Sequence, residues 1–259
     1  MTADIASGFS VVGELRHQWE EIWQTTRAST PVGSPYPVFD NHSRAFTPRA
    51  ILQYKPNEDV TYYLSYSEGT RPIEFNTNYF GLTASQQAEI DRQVPVAGLV
   101  VADRVKMWEL GAKGVFMNNT LRLLADVYKG KWTGRHVPNT VTFTLANGLP
   151  SSIQVATAGG IVDLWGIEVE ATYAVTPELT FDGTFNLAAT DIRYTFCNDC
   201  LSVAGNPRPV GTQLPYYPKY TASLSATYKR PLFGDWDGFV SGEWNYRSRI
   251  YESEGNYAW

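Results

Sequence analysis

The feature that most constrains this chain is a strict alternation of apolar and polar side chains, sustained for about a dozen residues at a time. Between 60 and 71 the sequence sets Val60, Tyr62, Leu64 and Tyr66 against Thr61, Ser65 and Ser67. Between 162 and 175 it sets Trp165, Ile167, Val169, Ala171, Tyr173 and Val175 against Glu168, Glu170 and Thr172. Successive side chains of a β-strand point to opposite faces, so a period of two predicts strands with one apolar and one polar face. Nine segments read this way: 9–21, 46–55, 60–71, 105–117, 120–132, 162–175, 179–191, 219–230 and 238–250. Most exceed the five or six residues usual for globular strands. They match instead the roughly 9–11 residues a tilted strand needs to cross a bilayer.

The connections add direction. Short turns (KPNED, the NN of MNNT, TPE, PLFGDWD) alternate with long links at 22–45, 72–104, 133–161 and 192–218. All the long links therefore fall at one rim, the layout of an outer-membrane barrel with tight turns on one side and extended loops on the other. The links contain TPVGSPYP and AGNPRPVGTQLP, which predict irregular chain. Residues 83–93 (TASQQAEIDRQ) predict a short loop helix with Thr83 as its N-cap.

Composition fits. Charged residues are 18% of the chain, below the roughly 25% of soluble domains, while Tyr, Trp and Phe reach 14%. Mean hydropathy is only −0.27, and no apolar run approaches the roughly 18 residues of a membrane helix. An alternating barrel accounts for both, because its outward and inward residues average out. Trp108, Trp165, Tyr220, Trp244 and Tyr246 fall near the loop ends of apolar faces, and Tyr62, Tyr173 and Tyr228 near the turn ends. They predict two interfacial aromatic belts. Trp132 breaks the alternation, which places it above the membrane or pointing inward, and Phe239 breaks it too.

Other functions find little support. Net charge is −5 and the cations are scattered, so no nucleic acid is expected as a partner. His17, His42 and His136 lack ligand spacing, no G-x-S-x-G elbow occurs, and no cofactor or catalysis is expected. Glu168 and Glu170 read as lumen-lining carboxylates, with Lys113 or Arg122 as neighbouring counter-charges. Cys197 and Cys200 form a lone C-x-x-C. A local disulfide in an exported loop is the expectation, because a redox centre needs a βαβ setting and a zinc site two further ligands. The N-terminus shows no basic region followed by an apolar core, so no secretory signal is read there.

Several phrases resemble one family. FTPRAILQYKPNEDVTYYLSYSEGTRPIEFN, WELGAKGVFMNNTLRLLADVYKGKW, GIEVEATYAVTPELTFDGTFNLAATDI and YYPKYTASLSATYKRPLFGDWDGFVSGEWNYRSRIYES are similar, in order and spacing, to hairpins of TonB-dependent outer-membrane receptors. The resemblance covers about residues 5–253. It implies an all-β fold: an antiparallel transmembrane segment of about nine up-and-down strands, within a barrel of about 22 strands around a plug. It further implies that residues 1–259 form part of the barrel domain, a fragment without the plug, the TonB-contacting segment or the closing strands. The implied partners are outer-membrane lipid of a Gram-negative cell, TonB through the missing N-terminal region, and a small-molecule or metal-chelate ligand such as a ferric siderophore. Haem, vitamin B12, nickel and glycans are other cargoes of that family. Candidate ligand contacts at the upper lumen and loops are Arg71, Glu74, Asn76, Arg135, His136 and Arg193. A passive porin and a soluble β-rich binding protein stand as alternatives.

Overall fold

A computed structural model describes residues 2–25, 38–94 and 97–257. Ten strands form one antiparallel meander: β1 (Thr2–Ala6), β2 (Phe9–Thr25), β3 (Val38–Tyr54), β4 (Val60–Arg71), β7 (Asp103–Phe116), β8 (Leu121–Thr144), β9 (Pro150–Ala174), β10 (Leu179–Tyr194), β11 (Tyr220–Pro231) and β12 (Asp237–Arg247). The link between β4 and β7 holds a two-stranded ribbon, β5 (Glu74–Phe75) and β6 (Leu99–Val100), with helices α1 (Thr77–Phe80) and α2 (Ala84–Asp91). Helix α3 (Asn198–Ala204) lies between β10 and β11. No described helix is long and apolar enough to cross a membrane.

The register explains the alternation. One row of cross-strand partners reads Val11, Leu52, Leu64, Leu110, Val127, Ile167, Leu187, Tyr220 across eight strands. The parallel row one residue along reads Ser10, Gln53, Tyr63, Gly111, Asp126, Glu168, Asn186, Thr221. A one-residue slip would exchange every apolar side chain for a polar one, so the two faces fix the register together. Among the described residues nothing covers the apolar face: Leu110 is 57% exposed and Val127 47%. A continuous apolar surface of this size calls for a non-aqueous neighbour. The aromatic residues expected at its borders, Trp108, Trp165, Tyr220, Trp244 and Tyr246 toward the links and Tyr62, Tyr173 and Tyr228 toward the turns, are all exposed on this same face.

The turns are short for local chemical reasons. Asn57 Oδ1 accepts from the amides of Asp59 and Val60, closing an Asx-turn in KPNED. Thr176 Oγ1 does the same for Glu178 and Leu179. Met117, Asn118 and Asn119 all adopt positive φ, a conformation asparagine tolerates better than most residues. On the inward face two glycines serve close packing: a Cβ on Gly111 would strike the Tyr63 ring, and one on Gly166 the Tyr128 ring. Each glycine is the direct cross-strand partner of its tyrosine, so an aromatic side chain covers backbone that has none of its own.

The structure extends the sequence reading in one place and corrects it in two. The nine long strands expected are all present, and a tenth, β1, only five residues long and too brief for its alternation to register, pairs with the first of them. The β2–β3 ladder continues to Thr25 opposite Val38, so residues 22–25 and 38–45 of the link expected at 22–45 are strand, and residues 26–37, with TPVGSPYP (30–37), lie outside the described residues. The link expected at 133–161 is no loop at all. β8 and β9 run for 24 and 25 residues and stay paired up to Thr144 opposite Pro150. Their outer halves form a hairpin arm that turns at Leu145–Leu149, with Gly148 at φ 82°. A bulge at Thr133, Arg135 and His136, eased by Gly134 at φ 72°, separates arm from wall.

Candidate functional site

The wall presents a charged, solvent-accessible concave face on which Lys113, Arg122, Glu168 and Glu170 are exposed. Its turn-side half is a recess of about 710 Å³ lined by residues including Lys113, Arg122, Glu170, Asp182, Ser223 and Glu243. Nearer the middle a smaller recess of about 310 Å³ gathers Glu109, Asp126, Glu168, Tyr128 and Tyr217. Tyr63 donates its hydroxyl to Glu109 at 2.6 Å, and Asn186 Nδ2 donates to Glu168 at 3.2 Å. Glu168 and Glu170 form no ion pair with Lys113 or Arg122, contrary to expectation: all four face the concave side, but the charges stay solvated rather than close on one another. No group of His, Cys, Asp and Glu among the described residues is arranged to hold a metal.

The rim differs in kind. There the inward residues turn apolar, and Trp132, Val162, Leu164 and Ile192 pack against Leu214 from the link after α3. Trp132 thus points inward above the membrane-facing rows. The register puts Phe239 on the concave side as well, opposite Lys229.

Beyond the rim, the links build a small dry core around the hairpin arm. Ile90, Val94 and Ala97 from the β4–β7 link pack on Val141, Phe143 and Val155 of the arm, with Tyr79, Leu82, Ile153 and Phe196 around them. An arm that leaves the sheet exposes unpaired edges, and side chains cover both. Gln93 brackets Thr142, accepting from its amide at 3.1 Å and donating to its carbonyl at 2.6 Å. Glu89 accepts from the Thr144 amide at 3.0 Å. Asp199 accepts from the Thr140 amide, and Asn198 Nδ2 donates to the Thr140 carbonyl at 2.6 Å. On the opposite edge Asn76 accepts from the Ala156 amide at 2.8 Å and donates to its carbonyl at 2.7 Å. Carboxamides here take the place of a neighbouring strand, which keeps the edges from pairing with another chain. Helix α2 is held for this task by Thr83, whose side chain and that of Gln86 form a reciprocal capping box.

The six candidate ligand contacts all sit in this region, but not in one cluster, and each already has internal partners. Arg71 bridges Asp103 at 2.9 Å with its own side chain 42% exposed. Glu74, half-exposed, stands 3.5 Å from Nδ1 of His136. Nε2 of His136 contacts the Val101 carbonyl at 2.8 Å, which requires the proton on that nitrogen. Arg193 is held by Asp163 at 2.7 Å and Asp191 at 3.2 Å. Asn76 is the edge clamp described above. Arg135 forms a buried pair with Glu254 at 2.6 Å, each side chain 7% exposed. Cys197 and Cys200 are joined by a disulfide. It closes the first turn of α3, where Cys197 is the N-cap and its sulfur accepts from the Cys200 amide.

The sequence reading missed the edge caps Gln93, Glu89, Asn198 and Asp199, together with Glu254. Only the arm itself had a usable signal: Asn147-Gly148 flanked by Val141, Phe143, Ile153 and Val155 is a hairpin pattern.

A family model described as TonB dependent receptor-like, beta-barrel matches residues 2–258. The chain belongs to that family. A probable TonB-dependent siderophore receptor, PiuA of Acinetobacter baumannii, is 27% identical over 223 residues, which are 85% of this chain and 26% of that receptor. Among solved structures, the ferric yersiniabactin uptake receptor FyuA of Yersinia pestis superposes with a TM-score of 0.70 at 16% identity, over 98% of this chain and 34% of that one. The crystal structure of PiuA gives 0.65 at 17%, over 96% and 32%. These likenesses establish the fold. This TonB-dependent receptor chain spans about a quarter of its sequence relative and about a third of the solved receptors.

Proposed function

We infer that this chain forms part of the wall and outer rim of an outer-membrane receptor that takes up a ferric siderophore. The observation that carries the reading is the two-faced sheet: unbroken apolar rows outside, polar rows inside, tight turns at one rim and packed links at the other. The first pair of features suits a wall between lipid and a water-filled or plugged lumen. The last suits a rim that selects a large ligand. The siderophore cargo is supported by the names of the relatives, PiuA and FyuA among them.

In the complete receptor, further strands join the open edges at β1 and β12, a plug occupies the concave face, and TonB supplies energy through that plug. Edges left bare in lipid would carry unsatisfied backbone groups. At the rim, Arg71 and Glu74 keep partly exposed side chains and meet the ligand, while Asn76, Arg135 and His136 hold the links in place and Arg193, paired with Asp163 and Asp191 on the outward face, stands apart from the ligand.

Uptake of radiolabelled ferric siderophore by cells carrying the full-length gene tests this. Accumulation should stop when TonB is deleted or a protonophore collapses the gradient. Transport that continues under both conditions would identify a passive pore instead, and a product found outside the membrane fraction would defeat the barrel reading.

A further inference from the structure

Two of the residues that cap the hairpin arm lie inside a covalent loop. The Cys197–Cys200 disulfide encloses Asn198 and Asp199, and these two carry hydrogen bonds from α3 to the arm. The Asn198 amide donates to Asn139 Oδ1 at 2.6 Å and its Nδ2 donates to the Thr140 carbonyl at 2.6 Å. Asp199 accepts from the Thr140 amide at 3.3 Å. Asn139 is fully buried, and its own Nδ2 reaches the Val137 carbonyl and the Thr157 hydroxyl.

Little else holds α3 against the arm. It has seven residues, and helices shorter than about 12 are marginal without outside support. Cys200 is the one buried residue among the described residues of the helix, while Leu201 and Val203 are 45% and 55% exposed. No apolar face fastens α3 in place, so the disulfide does this by fixing the first turn. The chain before it is anchored separately: Phe196 packs in the dry core, and the Cys197 amide donates to the Pro207 carbonyl at 2.8 Å. Breaking the disulfide therefore frees Asn198, Asp199 and Cys200 but not what precedes them. The dependence runs both ways. Cys197 and Cys200 are 4% and 1% exposed, so a reductant in solution reaches sulfur only after the seam between α3 and the arm has opened.

We propose that this disulfide is a redox latch: it locks α3 as the strand substitute on the β8 edge, and a small dithiol releases it. A thiolate of the reductant attacks the Cys197 sulfur, the S–S bond breaks, and Cys200 leaves as a thiolate. The second thiol closes the reductant into a cyclic disulfide and expels Cys197. Two electrons and two protons pass from the dithiol, and both cysteines end as thiols. The freed turn frays, and the Thr140 amide and carbonyl lose their caps. The latch is independent of which cargo the receptor carries.

The test uses the full-length receptor, with dithiothreitol as the dithiol, iodoacetamide to trap freed thiols and hydrogen exchange as the readout. After reduction and trapping, exchange of the Thr140 amide should accelerate roughly 10- to 100-fold, the loss expected for two or three hydrogen bonds. The Ala156 amide on the opposite edge, held by Asn76, should not change. C197S/C200S should match the reduced receptor at Thr140 with no reductant present. Asn198→Ala keeps both cysteines but weakens the seam, so dithiothreitol should reduce its disulfide roughly 5-fold faster than in wild type. Heat-modifiable gel mobility should persist throughout. Unchanged Thr140 exchange after reduction, equal acceleration at Ala156, or a wild-type disulfide reduced as fast as that of Asn198→Ala would each overturn the latch. Loss of gel mobility on reduction would overturn it too, by making the bond a support of the whole wall.

Discussion

The buried pair of Arg135 and Glu254 offers a quantitative test of how the rim is held together. Arg135 sits at the bulge where the arm leaves the wall, and Glu254 in the segment after β12. Their 2.6 Å contact joins chain elements 119 residues apart, and the Arg135 guanidinium also lies 6.0 Å from the centre of the Trp132 ring. Arg135→Met removes the cation and leaves a carboxylate that is 7% exposed without its partner. Stranding a buried charge costs about 3–5 kcal/mol. The double change R135M/E254L removes both charges and should return to within about 1 kcal/mol of wild type, because desolvating the pair offsets most of its attraction. The region that should loosen is defined by bonds to the same segment: Thr212 Oγ1 donates to the Glu254 carbonyl, and Asn256 brackets Gln213 through two hydrogen bonds. Hydrogen exchange of the Gln213 and Asn256 amides in the full-length receptor reads this directly. The single variant should accelerate their exchange by roughly 100-fold to a few thousand-fold, at about 1.4 kcal/mol per factor of ten, and the double variant should largely restore protection. Unchanged exchange in the single variant, with siderophore affinity lost and not recovered in the double, would refute the structural assignment and make Arg135 a ligand contact.

Other outcomes follow from the same structure. Asn76→Ala strips the Ala156 amide and carbonyl of their partners and should destabilise the arm by about 1–3 kcal/mol, seen as faster exchange at Ala156 with barrel mobility unchanged. Val127→Arg places a charge in the middle of the outward apolar row and should cost about 2–4 kcal/mol in lipid; a near-neutral result in a refolding titration from vesicles would argue against lipid on that face. Gly166→Ala forces a Cβ into the Tyr128 ring and the Leu187 carbonyl, for a cost of about 1–3 kcal/mol in the same titration. The Tyr79 phenol is pushed up from 10.0 to about 12, first by burial and then by its hydrogen bond to Asp91. A raised pKa means the neutral phenol is the form the fold stabilises, so this contribution is complete below pH 10 and disappears as pH passes about 12. The tyrosinate absorbance lost in Tyr79→Phe should therefore titrate near pH 12, and a midpoint near 10 would show that the α1–α2 link is not packed as described.

The wall of this protein was decided by its sequence alone. Alternation over twelve or more residues leaves a strand one way to face, and the pattern of Val11, Leu52, Leu64, Leu110, Val127 and Ile167 can align in one register only, so the long strands, their faces and the belts are local information, whereas the hairpin arm read as a link at 133–161 is not. The Thr83 cap and the turn at Asn57 are local too, since each satisfies backbone groups within three residues of itself. The rim was decided by tertiary structure. Glu254 pairs with Arg135, Gln93 with Thr142 and Asn76 with Ala156 across 119, 49 and 80 residues, respectively, and no periodicity encodes which distant amide will cap which open edge. For the same reason the sequence marked Arg71, Glu74, Asn76, Arg135, His136 and Arg193 as a group, while only the folded chain divides them into side chains spent inside the rim and side chains still facing outward. Hydrophobic period is written residue by residue, but the satisfaction of buried polar groups depends on what the rest of the chain brings alongside.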